Sequence, residues 1–200
     1  MGAEHVYVPN MTQPMTAEDL LQPHVPKHAQ LVRGVLVVRE PPGFRHGEIT
    51  ARLASALMMH VDAHTLGRVV AGDAGFKLQS HPDTVRGADI AFVSWERLPQ
   101  GSPEGFPSLG PDLVVEVLSP GDRPGETLAK VADWLSAGTR LVWVIDPERR
   151  LARIYRADGT QQSLTETDQL LGEDVLPGFS CTLAAILGSP GVPPLPKGLP

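Results

Sequence analysis

The sequence predicts a single α/β domain, a mixed sheet flanked by helices with a hairpin near each end. Three observations carry this. Ile49, Leu53, Leu57 and Val61 recur every fourth residue, the stripe of an amphipathic helix. Leu141–Ile145 is apolar at every position, as a strand buried on both faces is. A helix-like segment separates that strand from another β-rich run at 112–119, which makes one βαβ crossover of right-handed sense.

Taken in order, residues 1–15 show no sustained period and read as a loose lead. Thr16-Ala17-Glu18-Asp19 sets a hydroxyl three positions before a carboxylate, a capping pattern for a short helix ending near Pro23. Leu31–Val38 is two β-rich runs about Arg33-Gly34, a hairpin stopped by Pro41-Pro42-Gly43. The amphipathic helix runs from His46 to His64, with Gly67 expected to end it. Strand signals follow at 68–71, 75–79, 85–95 and 112–119, broken by a Pro/Gly/Ser loop at 99–111. A second helix, Pro124 to Ala137, carries Leu128, Val131, Ala132 and Leu135 on one stripe, and Gly138 closes it. Past Leu141–Ile145, the runs 153–156 and 161–164 flank Asp158-Gly159, a strong hairpin signal. Leu176-Pro177-Gly178-Phe179 leads to a short apolar close at Leu183–Leu187. The domain is thus expected over 16–187, and the Pro/Gly-rich tail 188–200 to be extended or disordered.

Composition bounds the function. A chain of 200 residues buries about seven tenths of the surface its unfolded form exposes, enough for its own core. One cysteine, Cys181, excludes an internal disulfide framework or a four-thiolate zinc site and makes a reducing cytoplasm the expected compartment. The first twenty-one residues carry Glu4, Glu18 and Asp19 rather than a basic flank and an apolar stretch, and no apolar run, Leu141–Ile145 included, exceeds five residues, so neither a signal peptide nor a membrane span is expected. A net charge of −6 opposes indiscriminate adhesion to nucleic acid, so such a partner would have to be met by a local basic patch. The 17 basic residues include only four lysines, among them Lys130, and lysine rather than arginine is the cation able to give up a proton.

Pro111–Ser119 is the most informative segment. In a strand Val114, Glu116 and Leu118 share a face, which leaves Glu116 inside an apolar run. A carboxylate buried unpaired costs several kcal/mol on the order of typical estimates, so a metal, an arginine or water at a cleft must compensate it. Asp89 heads another β-rich run, and two acids on adjacent strands can share a hard cation such as Mg2+, although an Asp at a strand start more often caps a turn. If they do share one, their carboxylates converge and at least one is pushed up in pKa. Lys130, one turn before Trp134, falls off the apolar stripe, so helical phase alone points it at solvent. The alternative turns it toward Glu116, where an ammonium would hold a water or offset transition-state charge. Glu48, in the first turn of the long helix, is explained by the dipole or by a pair with Arg52, or else is a third acid near the metal.

Other constellations are poor. His60 and His64 have a zinc-compatible spacing but end a helix where imidazolium suits the dipole, and Pro26 between His24 and His28 breaks a ligand helix. No P-loop, dinucleotide glycine fingerprint, G-x-S-x-G elbow or H-E-x-x-H is present.

In this order the residues resemble a known family. The hairpin Leu31-Val32-Arg33-Gly34-Val35-Leu36, His46-Gly47-Glu48-Ile49, Ala88–Val93, Pro111–Pro120, Lys130, Gly138, Trp143–Pro147 and Leu176–Phe179 are similar to the markers of the Uma-two family, a bacterial group of restriction endonucleases in the PD-(D/E)XK nuclease superfamily. The likeness runs from about Thr16 to Leu187. It implies a restriction-endonuclease-like core in which Asp89 and Glu116 ligate Mg2+, with Mn2+ as the alternative ion. The lysine of the acid-x-Lys signature would fall at Leu118, which cannot serve, and the resemblance implies a migrated lysine, Lys130, with Glu48 as accessory acid. Two positions depart from the pattern: Ala88 replaces a proline, and Gln30 stands where the family often has a glutamate.

The implied activity is Mg2+-dependent endonucleolytic hydrolysis of nucleic acid, DNA ahead of RNA. The rival reading is a catalytically inactive nuclease-fold module working through protein partners or as a homodimer, in line with the acidic charge and Gln30. A basic stripe from Arg45, Arg52, Arg86 and Arg123 would favour the enzyme, and an apolar patch the module.

Overall fold

The computed structural model describes residues 5–6, 14–98 and 105–188. The lead 1–15 and the tail 188–200 therefore fall mostly outside the described residues, as does part of the 99–111 loop. Within the lead, β1 (His5–Val6) pairs antiparallel with β3 (Val35–Val38), so that stretch is a strand rather than loose chain. The capping box closes as expected at α1 (Ala17–Leu20), where Thr16 and Asp19 bond each other's backbone N–H. β2 (Ala29–Val32) and β3 turn at Arg33 (φ 51) and Gly34 (φ 78), two left-handed residues that suit the twist of a two-residue hairpin.

The long helix, α2 (Phe44–His64), buries Ile49, Leu53, Leu57 and Val61. It is not Gly67 that ends it. Thr65 takes the left-handed conformation (φ 53) at the C-cap, and Gly67 instead opens β4 (Gly67–Gln79), where a Cβ would lie 2.1 Å from the Val93 carbonyl oxygen. The two strands expected at 68–71 and 75–79 are this one strand, bulged where the register shifts between Ala71 and Ala74.

Beyond it come β5 (Thr84–Ser94), β6 (Leu113–Val117), α3 (Pro124–Ser136) and β7 (Leu141–Asp146). β6 and β7 are parallel, the expected βαβ unit. β8 (Leu151–Arg156) and β9 (Gln161–Thr165) form the C-terminal hairpin over Gly159 (φ 85). A small hairpin, β10 (Gln169–Leu171) with β11 (Ser180–Thr182), carries no sequence signal we read, and α4 (Leu183–Leu187) is the apolar close.

Among the described residues the main sheet has nine strands and forks at β5. One edge of β5 pairs with β4 along most of its length. The other edge is shared: β2 meets it at Val85 and β6 at Ile90–Phe92. Residues 86–89 lie between these two ladders, and Asp89 is the last of them.

The two faces are covered differently. Ile90, Phe92, Val115, Val117, Trp143 and Ile145 pack under α2 and α4, whereas Ala91, Val114, Val142 and Val144 pack against Val131 and Trp134 of α3. Strand alternation therefore turns Glu116 toward α3. The stripe expected on α3 is rotated to match. Lys130, Val131 and Trp134 are buried, Ala132 is exposed and Leu128 is 52% exposed, because the buried charge of Glu116 and the large Trp134 ring outweigh one leucine in choosing the face.

Candidate metal-binding active site

At the fork lies a cleft of about 800 Å3. It is lined by the first turns of α2, the β4 bulge, Asp89, the end of β6, the loop Ser119–Asp122 and the exposed side of α3 as far as Lys130. Asp89 and Glu116 both open onto it, as expected.

Glu116 is 6% exposed and fully provided for on both oxygens. Lys130 Nζ donates to Oε2 at 2.6 Å, and Trp134 Nε1 donates to Oε1 at 2.8 Å. Lys130 and Trp134 stand four apart on one helix, so α3 delivers an ammonium and an indole N–H to one carboxylate. Helical phase had pointed Lys130 at solvent; with 4% exposure it is instead among the most buried charges. Burial pushes the Glu116 carboxyl up, Lys130 opposes this, and the nearby negative charge of Asp89 adds to it, with a net rise.

Asp89 behaves oppositely. Burial alone would raise it, but a hydrogen bond from His46, the charge of Lys130 and the Val117 amide together hold it below the usual carboxylate range. His46 Nε2 lies 3.1 Å from Asp89 Oδ2, and Val117 N–H donates to the same oxygen at 2.7 Å. For His46 itself, burial disfavours the cation, yet Asp89, Asp122 and Glu116 more than compensate and raise its pKa. The two acids thus titrate as an unequal pair, one readily ionised and one reluctant.

Glu48 is not brought to this place. Its carboxylate takes Arg45 at 2.9 Å and Arg52 at 2.8 Å along α2, the local pairing its helical spacing permits, and it does not line the cleft. His46, two residues earlier, occupies the position toward the acids instead. In the sequence His46 stands out only as a family marker, and Trp134 only as the residue one turn after Lys130 on the face that can turn toward Glu116; that its indole N–H meets the carboxylate is not visible there.

The basic stripe does not form. Arg86 is 5% exposed and locked to Asp133 through Nε and a terminal nitrogen at 2.9 and 2.7 Å, Arg45 and Arg52 share Glu48, and Arg123 meets Glu126 at 3.4 Å. Among the described residues the cleft lining has six acids, Glu40, Asp73, Asp89, Glu116, Asp122 and Glu126, against one arginine and one lysine, Arg39 and Lys130. Gln30 is 2% exposed and reaches Asp73 of the β4 bulge, Nε2 to Oδ1 at 3.4 Å. His60 and His64 are spent locally, on the Pro177 and His60 carbonyl oxygens at 3.1 and 2.8 Å.

The donor set suits a hard cation. No cluster of three or more His, Cys, Asp or Glu side chains is arranged around one point among the described residues. Two carboxylates alone are the arrangement typical of Mg2+, which keeps most of its waters and leaves positions for phosphate oxygens. Both hydrogen bonds to Asp89 go to Oδ2, so Oδ1 remains as donor.

No curated protein matches the chain. Its fold is similar to the crystal structure of a "putative nuclease belonging to DUF820" from Anabaena variabilis, at 18% identity and a TM-score of 0.75 over 87% of this chain and 98% of that one. No helix among the described residues is long and apolar enough to cross a membrane. The profile described as "Putative restriction endonuclease" matches residues 17–184, and the chain belongs to that family, Uma2, of nuclease-type hydrolases.

Proposed function

We propose that the chain is a Mg2+-dependent endonuclease that adds water across phosphodiester bonds of nucleic acid, DNA ahead of RNA, with Asp89 and Glu116 as metal ligands and Lys130 as the cation at the reacting phosphate. The single observation that carries this reading is the 2.6 Å contact of Lys130 Nζ with Glu116 Oε2, next to Asp89 in an open cleft. A lysine almost closed to solvent and aimed at a carboxylate beside a second one is the acid-acid-lysine constellation rebuilt with the lysine on a helix. Mn2+ is the alternative ion, since the oxygen donors serve either. A cytoplasmic setting is part of the reading, because the one cysteine, Cys181, forms no internal disulfide.

Bound Mg2+ supplies Lewis-acid polarisation of a phosphoryl oxygen and a more acidic water. The chain's own groups do the rest. Trp134 and Lys130 fix the plane of the Glu116 carboxylate, and the Val117 amide and His46 fix that of Asp89. The Lys130 ammonium orients the attacking water and offsets the charge that grows on the phosphorane-like transition state.

One observation favours a second reading, the inactive module: among the described residues the acids of the cleft outnumber its arginine and lysine, and the four arginines expected to meet nucleic acid are paired within the fold. A nicking assay on supercoiled DNA, with a structured RNA in parallel and at low salt because an acidic chain binds either weakly, separates the two. The enzyme predicts cleavage that requires Mg2+ and falls by orders of magnitude in Asp89→Asn and Lys130→Met. A folded wild type that cuts neither substrate with Mg2+ or Mn2+ supports the module.

A further inference from the structure

Asp89 is held as Glu116 is, by donors on a fixed frame, but its side-chain partner comes from the other helix. Glu116 takes Lys130 from α3; Asp89 takes His46 from the first turn of α2, 3.1 Å away and only 11% exposed in its side chain. The sheet's fork makes this reachable, because residues 86–89 have no ladder partner on the side where β2 and β6 diverge. His46 and the Val117 amide converge on the same oxygen, Oδ2. A carboxylate anchored twice through one oxygen cannot turn without losing both charge-assisted bonds, so its other oxygen is presented in a fixed direction.

The ring is not explained by packing alone. Among the described residues His46 Nδ1 is buried without a hydrogen-bond partner, a cost that the Nε2 contact with Asp89 offsets. Resting on the two-carboxylate metal site proposed above, we propose that His46 is the positioning residue for Asp89, holding Oδ2 so that Oδ1 faces the divalent cation. It touches neither substrate nor metal. Its effect is on how well the site is formed before the ion arrives, the same service that partners of metal ligands perform elsewhere.

The test measures Mn2+ affinity of the full chain from the free-ion EPR signal, in the wild type, Asp89→Asn, His46→Phe, His46→Ala and His46→Gln, with thermal unfolding alongside. His46→Phe keeps a ring and loses the donor; His46→Gln restores an N–H donor. We expect Asp89→Asn to abolish binding, His46→Phe and His46→Ala to weaken it by about 10–100-fold, and His46→Gln to recover most of the loss. A purely structural histidine would lower the melting temperature and leave the affinity of the folded protein unchanged. Donor-free variants that bind Mn2+ as the wild type does, while Asp89→Asn does not, would overturn the role of His46 and leave the metal site standing. A wild type that binds no Mn2+ would overturn both.

Discussion

Lys130 Nζ and Glu116 Oε2 lie 2.6 Å apart with both side chains almost closed to solvent, so each is the other's main compensation for burial. The pair therefore has a structural value besides any catalytic one. Glu116→Gln strands the ammonium and should cost about 3–5 kcal/mol, a drop in melting temperature on the order of 10 °C for a chain of 200 residues. Adding Lys130→Met should regain most of it, because the stranded ammonium is gone and a neutral pair of similar volume replaces the charge pair. Differential scanning calorimetry of the single and double variants reads this directly, and a single variant as stable as the wild type would contradict it.

Trp134 sits on the same carboxylate from one turn further on, Nε1 to Oε1 at 2.8 Å. Trp134→Phe retains an aromatic ring beside Phe76, whose centroid lies 6.0 Å away, but loses the donor. We expect a loss of about 1.5–3 kcal/mol in urea unfolding, the usual range for a hydrogen bond to a charged group.

The β-rich elements were legible because their signals are local. Arg33-Gly34 and Asp158-Gly159 name their hairpins, and Leu141–Ile145 names a strand buried on both faces. Asp89, Glu116 and Lys130, which the resemblance names as one site, line one cleft. What was not legible is what depends on distant partners. The buried face of α3 was misjudged because Leu128 counts as apolar in a periodicity, whereas Glu116, fourteen positions before Lys130, decides which way the helix turns. His46 reaches Asp89 across forty-three positions, and the fork that permits it arises because β2 and β6 share one edge of β5. The basic stripe does not form for the same reason: Asp133, which takes Arg86, lies forty-seven positions away in the chain.

A second lock lies away from the cleft, where Asp83 takes Lys77 at 2.7 Å and the Ala17 amide at 2.8 Å. Burial alone would raise its pKa, but Lys77 and the amides of Ala17 and His81 reverse this, and the folded value lies below the ordinary 3.8. The stabilisation is therefore present above pH 3.8 and is lost as pH falls through the lower folded value. Asp83→Asn should melt below the wild type at neutral pH, and the gap should close on acidification past that point. A gap that is constant with pH would mean the charge is not what holds α1 to the sheet.

Gly87 makes room for the cleft wall. A Cβ there would lie 2.1 Å from Asp73 Oδ1 and 3.0 Å from the Asp73 carbonyl oxygen. Gly87→Ala should cost about 1–3 kcal/mol by overpacking. Asp73→Gly in that background should return most of it, since Asp73 stands at φ 61 where glycine is at ease. Equal melting temperatures for Gly87→Ala with and without Asp73→Gly would show that the clash is relieved elsewhere.

Joint binding of one divalent cation by Asp89 and Glu116 can be read from the anomalous signal of crystals soaked in Mn2+. A single peak is expected between the two carboxylates, within about 2.0–2.2 Å of Asp89 Oδ1 and of one Glu116 oxygen, with Lys130 still beside Glu116. The peak should vanish in Asp89→Asn. Full Mn2+ loading elsewhere on the chain, with no peak in the cleft, would contradict it.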